Sequence, residues 1–259
     1  AVFLIAIIVT VWTTDENPPV DLEAFDLAKT ESAGFLAGAK EILGSIVDMP
    51  KVMLQLGVVQ FFSWFAFFTM WSFATPALTE HVFASPNPLA GAANFEAANA
   101  AFNVAANSVS SAMGVYGLSS MAFALLLAFY TSRFPINRRL VHGISLFIGG
   151  LGFAWMLQLN PESAQQLKWC FACIGVAWGS ILSMPYAMLS SSVPKDNMGV
   201  YMGIFNMFIV IPQILAALGG IIWVNEILFD GDTAFTMMIA GLSLIGGALS
   251  LMLVDPSVH

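Results

Sequence analysis

Apolar residues dominate this chain in long runs, broken by short polar stretches. Six runs have membrane-spanning length, at approximately 52–76, 107–132, 140–158, 168–192, 198–224 and 233–254. A helix needs roughly 20 apolar residues to cross a hydrocarbon core about 30 Å thick. The opening run, residues 1–12, is shorter; twelve helical residues cover only about 18 Å. It reads as the end of a span cut within a transmembrane helix. It is not read as a signal peptide, because no basic residue precedes it and residue 1 is not Met.

Polar positions concentrate between these runs. Residues 13–50 hold eight acids against Lys29 and Lys40. Their apolar residues Leu22, Phe25, Phe35, Leu36, Ile42, Leu43, Ile46 and Val47 recur at roughly helical spacing. That pattern predicts an amphipathic helix in a connector at the membrane surface, with a partly ordered linker as the alternative. The Ala- and Asn-rich segment 94–107 contains good helix formers and no breaker, so the helix of the second long run should extend out of the membrane. The predicted division is thus 1–12, a truncated helix; 13–50, a cytoplasmic connector; and 51–259, a six-helix unit.

Composition fixes the class. The chain is 58% hydrophobic and only 9% charged, against about 25% charge in soluble domains, so it is predicted to be an all-α integral membrane protein. Eight Lys and Arg with a net charge of −8 exclude a nucleic-acid binder. The basic residues are also one-sided. Lys29, Lys40, Lys51, Arg133, Arg138, Arg139 and Lys195 fall on one side of the predicted spans and Lys168 on the other. The positive-inside rule then puts 13–50 and 133–139 in the cytoplasm.

Chemistry in the spans is sparse and uncharged. Trp178 to Gly220 reads as two helices joined by the turn Val193–Asn197, each interrupted by a proline, Pro185 and Pro212. Asn206 and Gln213 share one helical face; Ser183, Tyr186 and Ser190 share another. In lipid such faces must point at protein or at a water-filled cavity. A cavity lined by amides and hydroxyls suits a neutral, hydroxyl-rich ligand. No Asp, Glu, Lys or Arg lies in the middle of the six complete spans. His142 begins a span near the inner face and His81 with Glu80 lies at the outer mouth; both histidines read as interfacial polar groups. Cys170 and Cys173 form a CxxC without further ligands nearby, so packing is expected rather than metal or redox chemistry. Neither a metal nor a cofactor is expected. Gly175 with Gly179 and Gly199 with Gly203 are small-xxx-small pairs that let helices approach closely. Asn103, Asn107, Ser111 and Gly114 make a small polar stripe whose favoured use is helix contact.

The stretches PYAMLSS (184–191 with its preceding Met) and GVYMGIFNMFIVIPQILAALGG (199–220) resemble the tenth and eleventh helices of the sucrose-transporter-like branch of the major facilitator superfamily. That branch sits with the glycoside–pentoside–hexuronide cation symporters. Gln60 to Trp71, QFFSWFAFFTMW, resembles the seventh helix of its bacterial members. The resemblance covers nearly everything from the connector onward. It implies two six-helix halves, alternating access and proton-coupled uptake of sucrose, maltose or related sugars, in a bacterial cytoplasmic membrane. This chain would be the C-terminal half with the end of the sixth helix, and its partners would be a sugar, a cation, membrane lipids and the first half of the same carrier. A coupling residue would then sit in that first half. The loop Ser132 to Arg139 departs from the superfamily's Asp-Arg-x-Gly-Arg-Arg pattern: Arg133, Arg138 and Arg139 are present without the acid, which leaves a basic loop suited to phospholipid.

For a sugar, the candidate cavity-lining residues are Gln60, Trp64, Trp71, Tyr186, Asn206 and Gln213. Gln60, Trp64, Phe67 and Trp71 fall on one continuous helical face, pairing an amide with aromatic plates that could stack on a pyranose. The tryptophans could instead pack or form an interfacial belt, which fits Trp71, five residues before Pro76. Two other classes compete. A membrane enzyme would need a ligand cluster or catalytic dyad, and the sequence offers none. A substrate-free bundle would not need mid-depth polar groups on several helices.

Overall fold

The computed structural model describes residues 2–13, 43–193 and 198–255. All of its regular secondary structure is helical. Helix α1, Val2–Thr13, and a short helical stretch at 43–47 belong to a unit of residues 1–48, and a second unit comprises residues 49–259. The amphipathic helix expected within 13–50 lies mostly outside the described residues, as does most of the turn 193–197.

In the second unit the helices are α2 (Lys51–His81), α3 (Phe95–Thr131), α4 (Arg138–Met156), α5 (Leu167–Ile181), α6 (Met184–Ser190), α7 (Met198–Leu215), α8 (Ile221–Phe229) and α9 (Thr233–Ser250). They supply six stretches long and apolar enough to cross a membrane, with α5 and α6 together forming one of them. The six predicted runs match these stretches, and α3 begins at Phe95, as its helix-forming N-terminal segment predicts. Pro76 does not end α2, which continues to His81. The Thr79 hydroxyl donates to the carbonyls of Thr75 and Pro76 in the turn that follows the proline.

The bundle is a closed sequence of neighbours. Helix α2 packs on α9, α9 on α4, α4 on α5 and α5 on α3, while α7 lies against α2. Small residues set these approaches. A Cβ on Gly149 would meet Ala177 Cβ at 2.6 Å, and one on Gly150 would meet Ile245 Cγ1 at 2.6 Å. Thus α4 carries a glycine ridge facing α5 on one side and α9 on the other. Cys170 and Cys173 pack on that ridge: a Cβ on Gly152 would lie 2.7 Å from the Cys170 carbonyl oxygen and 3.0 Å from Cys173 Cβ.

The two predicted small-residue pairs behave differently. Gly175 lies directly against the Ser119 hydroxyl and the Tyr116 carbonyl of α3, and a Cβ on Gly179 would sit 2.9 Å from the Ser120 carbonyl oxygen. Gly199 and Gly203 have nothing within 4 Å of a built Cβ, so this pair makes no close approach among the described residues. The motif fixes only that a face is small; whether another helix lies over it depends on the bundle. Gly175→Leu should therefore destabilise the folded chain by about 1–3 kcal/mol or more through overpacking, whereas Gly203→Leu should be neutral. Thermal unfolding of the two variants in detergent checks this, and equal melting of both would contradict the packing.

Candidate functional site

Two local breaks build the site. Pro185 lacks an N–H, and its ring would clash with the carbonyl four residues earlier, that of Ile181. Helix α5 ends at Ile181 and α6 restarts at Met184 with the proline in its first turn. At the join, the Ser183 hydroxyl donates to the Gly179 carbonyl at 2.8 Å. In the next span Pro212 stays inside α7, and the chain then widens into a π-helical turn, Ala216–Gly220, before α8. Breaks of this kind are tolerated in a membrane only where neighbouring groups or a cavity satisfy the freed backbone.

The break turns Tyr186 toward α7. Its hydroxyl donates to Asn206 Oδ1 at 3.2 Å, and its ring meets Phe205 edge-on at 5.7 Å. Asn206 lies eight residues into its helix and remains exposed, while Tyr186 is half-buried. An amide held open at that depth would cost several kcal/mol against hydrocarbon. Its face is therefore unsuited to hydrocarbon. Gln213 stands two turns further along α7, half-buried, and is not drawn into this pair.

A second group lies on the neighbouring helices. Trp178 of α5 gathers Trp64, Trp71 and Phe67 of α2, with ring centroids 5.3, 5.2 and 4.9 Å away. Tyr116 of α3 joins at 6.2 Å. Edge-to-face contacts hold Trp64 and Trp71 against Trp178. Trp71 keeps 40% of its surface exposed, so this cluster presents an aromatic plate as well as a packed interior. Trp178 is not among the expected cavity-lining residues. A signal existed: the residue stands ten positions past Lys168, about 15 Å along a helix, too deep for an interfacial belt.

Gln60 sits between the two groups. One turn earlier, a Cβ on Gly57 would meet the Phe208 ring at 2.7 Å, and Phe208 contacts Phe205 at 6.4 Å. A chain of contacts therefore runs from Asn206 and Tyr186 through Phe205 and Phe208 to Gly57, and the Gln60 face continues to Trp64. Gln60 is fully buried, and among the described residues both polar atoms of its amide lack a partner, as does Trp64 Nε1. Buried amides are almost always hydrogen-bonded, so these are donors and acceptors in want of a ligand or water.

Two sequence expectations take a different form here. His142 is wholly buried, with Nδ1 2.8 Å from the Ser180 hydroxyl oxygen, because its face of α4 packs on α5. It is not an interfacial residue. Asn103, Asn107 and Ser111 are exposed and Gly114 faces open space, so the polar stripe of α3 makes no helix contact among the described residues. Asn107 and Ser111 instead line a cavity of about 600 Å³ shared with Gln165 and Lys168 at the start of α5. In the basic loop, Arg133 lies over the Phe129 ring at 4.3 Å, Arg138 donates to the Ala187 carbonyl at 3.2 Å, and Arg139 donates to the Val254 carbonyl at 2.8 Å.

The sequence model of the Major Facilitator Superfamily matches residues 1–217. The chain belongs to this superfamily. Membership places it among integral membrane transport proteins rather than enzymes, and its six spans form one half of the superfamily fold. Among curated facilitator relatives, sucrose transport protein SUT5 of Oryza sativa subsp. indica is 23% identical over 230 residues, 83% of this chain and 42% of that protein. Sucrose transport protein SUT2 of the same plant is 33% identical over 84 residues, 32% of this chain and 17% of that protein. The chain thus spans less than half the length of these facilitator relatives.

Proposed function

We propose that this chain is the C-terminal half of a secondary carrier for a sucrose- or maltose-type glycoside, working by alternating access together with a first half. The observation that carries the reading is the Tyr186–Asn206 pair, an uncharged hydroxyl and amide held open within the spans. Packing contacts through Phe205, Phe208 and Gly57 link it to α2, the helix that carries Trp64 and Trp71 of the aromatic cluster. Amides and hydroxyls exchange hydrogen bonds with sugar hydroxyls, and an aromatic face covers the apolar C–H side of a pyranose. The similarity to two sucrose transport proteins supports the same substrate class.

The cation is proposed to be a proton. Proton-driven carriers keep an ionisable group within the membrane. No Asp, Glu, Lys or Arg occupies mid-span here, and His142 stands only five residues into α4, at its loop end, so that group is assigned to the first half. The membrane is the point on which relatives and resemblance part. The proteins cited come from rice and lend no support to a bacterial cytoplasmic membrane, so the proposal is of an integral membrane carrier alone.

Residues 13–50 and 133–139 are proposed to face the cytoplasm, on the seven-to-one asymmetry of basic residues. In a cysteine-free background, an impermeant maleimide added outside cells should label a cysteine at position 95 and spare one at 29 or 138. Labelling of 29 or 138 with 95 spared would invert the topology. An uptake panel of labelled sugars and other small solutes on the assembled carrier tests the substrate class. Transport of a non-sugar alone would favour a facilitator of another solute, and transport of nothing would favour a substrate-free bundle.

A further inference from the structure

A groove of about 460 Å³ runs between α4 and α9, away from the Tyr186–Asn206 face. Gly143 and Ala248 keep its floor shallow, and Ile144, Phe147, Leu249 and Met252 form exposed apolar walls. Along α4 it extends from Asn137 to Phe147, about 15 Å at the helical rise. That is about half of a hydrocarbon core about 30 Å thick, the depth of one leaflet.

The groove has a charge at one end only. Arg139 lines it beside the loop, half-buried, with one hydrogen bond to the Val254 carbonyl oxygen and no carboxylate partner among the described residues. A guanidinium carries five N–H donors in a planar fork that matches phosphate. A free anion would satisfy the arginine and leave the walls bare. A purely apolar partner would cover the walls and leave the charge unmatched. A phospholipid meets both, its phosphate at the loop end and one acyl chain along the walls.

We propose that the α4–α9 groove is a binding site for an anionic phospholipid of the leaflet bordering the 133–139 loop, with its phosphate on Arg139. The placement is chemically consistent with that leaflet. The loop end of the bundle carries the basic excess that the positive-inside rule assigns to the cytoplasm, where anionic lipids attract basic groups.

The test is native mass spectrometry of the full chain purified in detergent and titrated with phosphatidylglycerol or phosphatidylcholine of equal chain length. The unmodified protein should retain one phosphatidylglycerol in preference to phosphatidylcholine. Arg139→Gln should weaken phosphatidylglycerol retention about fivefold or more, the scale of one cation at an anionic surface, and abolish the preference. Ala248→Leu, which fills the floor while leaving the arginine in place, should reduce retention of both lipids at the site. Unchanged elution and melting keep either variant interpretable. Should Arg139→Gln fail to fold, Ala248→Leu alone decides through its loss of the bound lipid. Equal retention of both lipids by the unmodified protein, or a preference that survives both substitutions, would overturn the site. A dimer that forms in place of lipid binding would overturn it too, by giving the groove to a second copy.

Discussion

Asn206→Ala and Gln60→Ala, made separately in the assembled carrier, are expected to weaken sugar binding about five- to a hundredfold each. That range is the 1–3 kcal/mol lost when a buried hydroxyl is left without its amide, at about 1.4 kcal/mol per tenfold. The two substitutions probe different states of the site. Asn206 is already exposed and bonded to Tyr186, so its loss removes a group that is open to ligand. Gln60 is fully buried with both amide atoms unpartnered, so it must reach a ligand through a rearrangement or through water. Removing the Gln60 amide breaks no hydrogen bond among the described residues. Membrane expression and melting should therefore persist while affinity falls. Equilibrium binding of labelled sucrose to each variant measures this. Unchanged affinity in both would make these faces packing contacts.

Much of this architecture was legible because hydrophobic run length and proline position act locally. Six runs long enough to span gave six spans, and Pro185 marked the place where α5 gives way to α6 for the simple steric reason that its ring excludes the Ile181 carbonyl. What was not legible depends on which helix lies across the gap. Gly175 and Gly199 open identical motifs, yet only the first meets a neighbouring backbone. His142 reads as a residue at a helix end, and only the packing of α4 on α5 buries it against Ser180. Trp178 shows the same limit from the other side. Its depth was written in the sequence, but its role as the centre of three other aromatic side chains from α2 required three-dimensional neighbours.

The largest effect expected is complete loss. A facilitator site lies near the bilayer midplane between two halves that rock against each other. In the proposed carrier this chain offers one wall: the Tyr186–Asn206 pair, the buried Gln60 and the aromatic plate. In the proposed carrier an opposing wall and an ionisable coupling group come from the first half. The 259-residue chain should then insert as a six-helix unit and bind lipid, yet move no sugar. Uniform binding by one wall cannot replace alternation, since a site that never changes its access cannot accumulate solute.

Uptake of radiolabelled sucrose into vesicles decides whether this chain supplies one wall of a two-halved, proton-driven sugar carrier. An inward proton gradient is imposed on the chain alone and on the chain co-expressed with the first half. The chain alone should show background uptake only. With both halves present, sucrose should accumulate, and a protonophore should abolish the accumulation. Sucrose accumulation driven by the chain alone would overturn the half-carrier assignment.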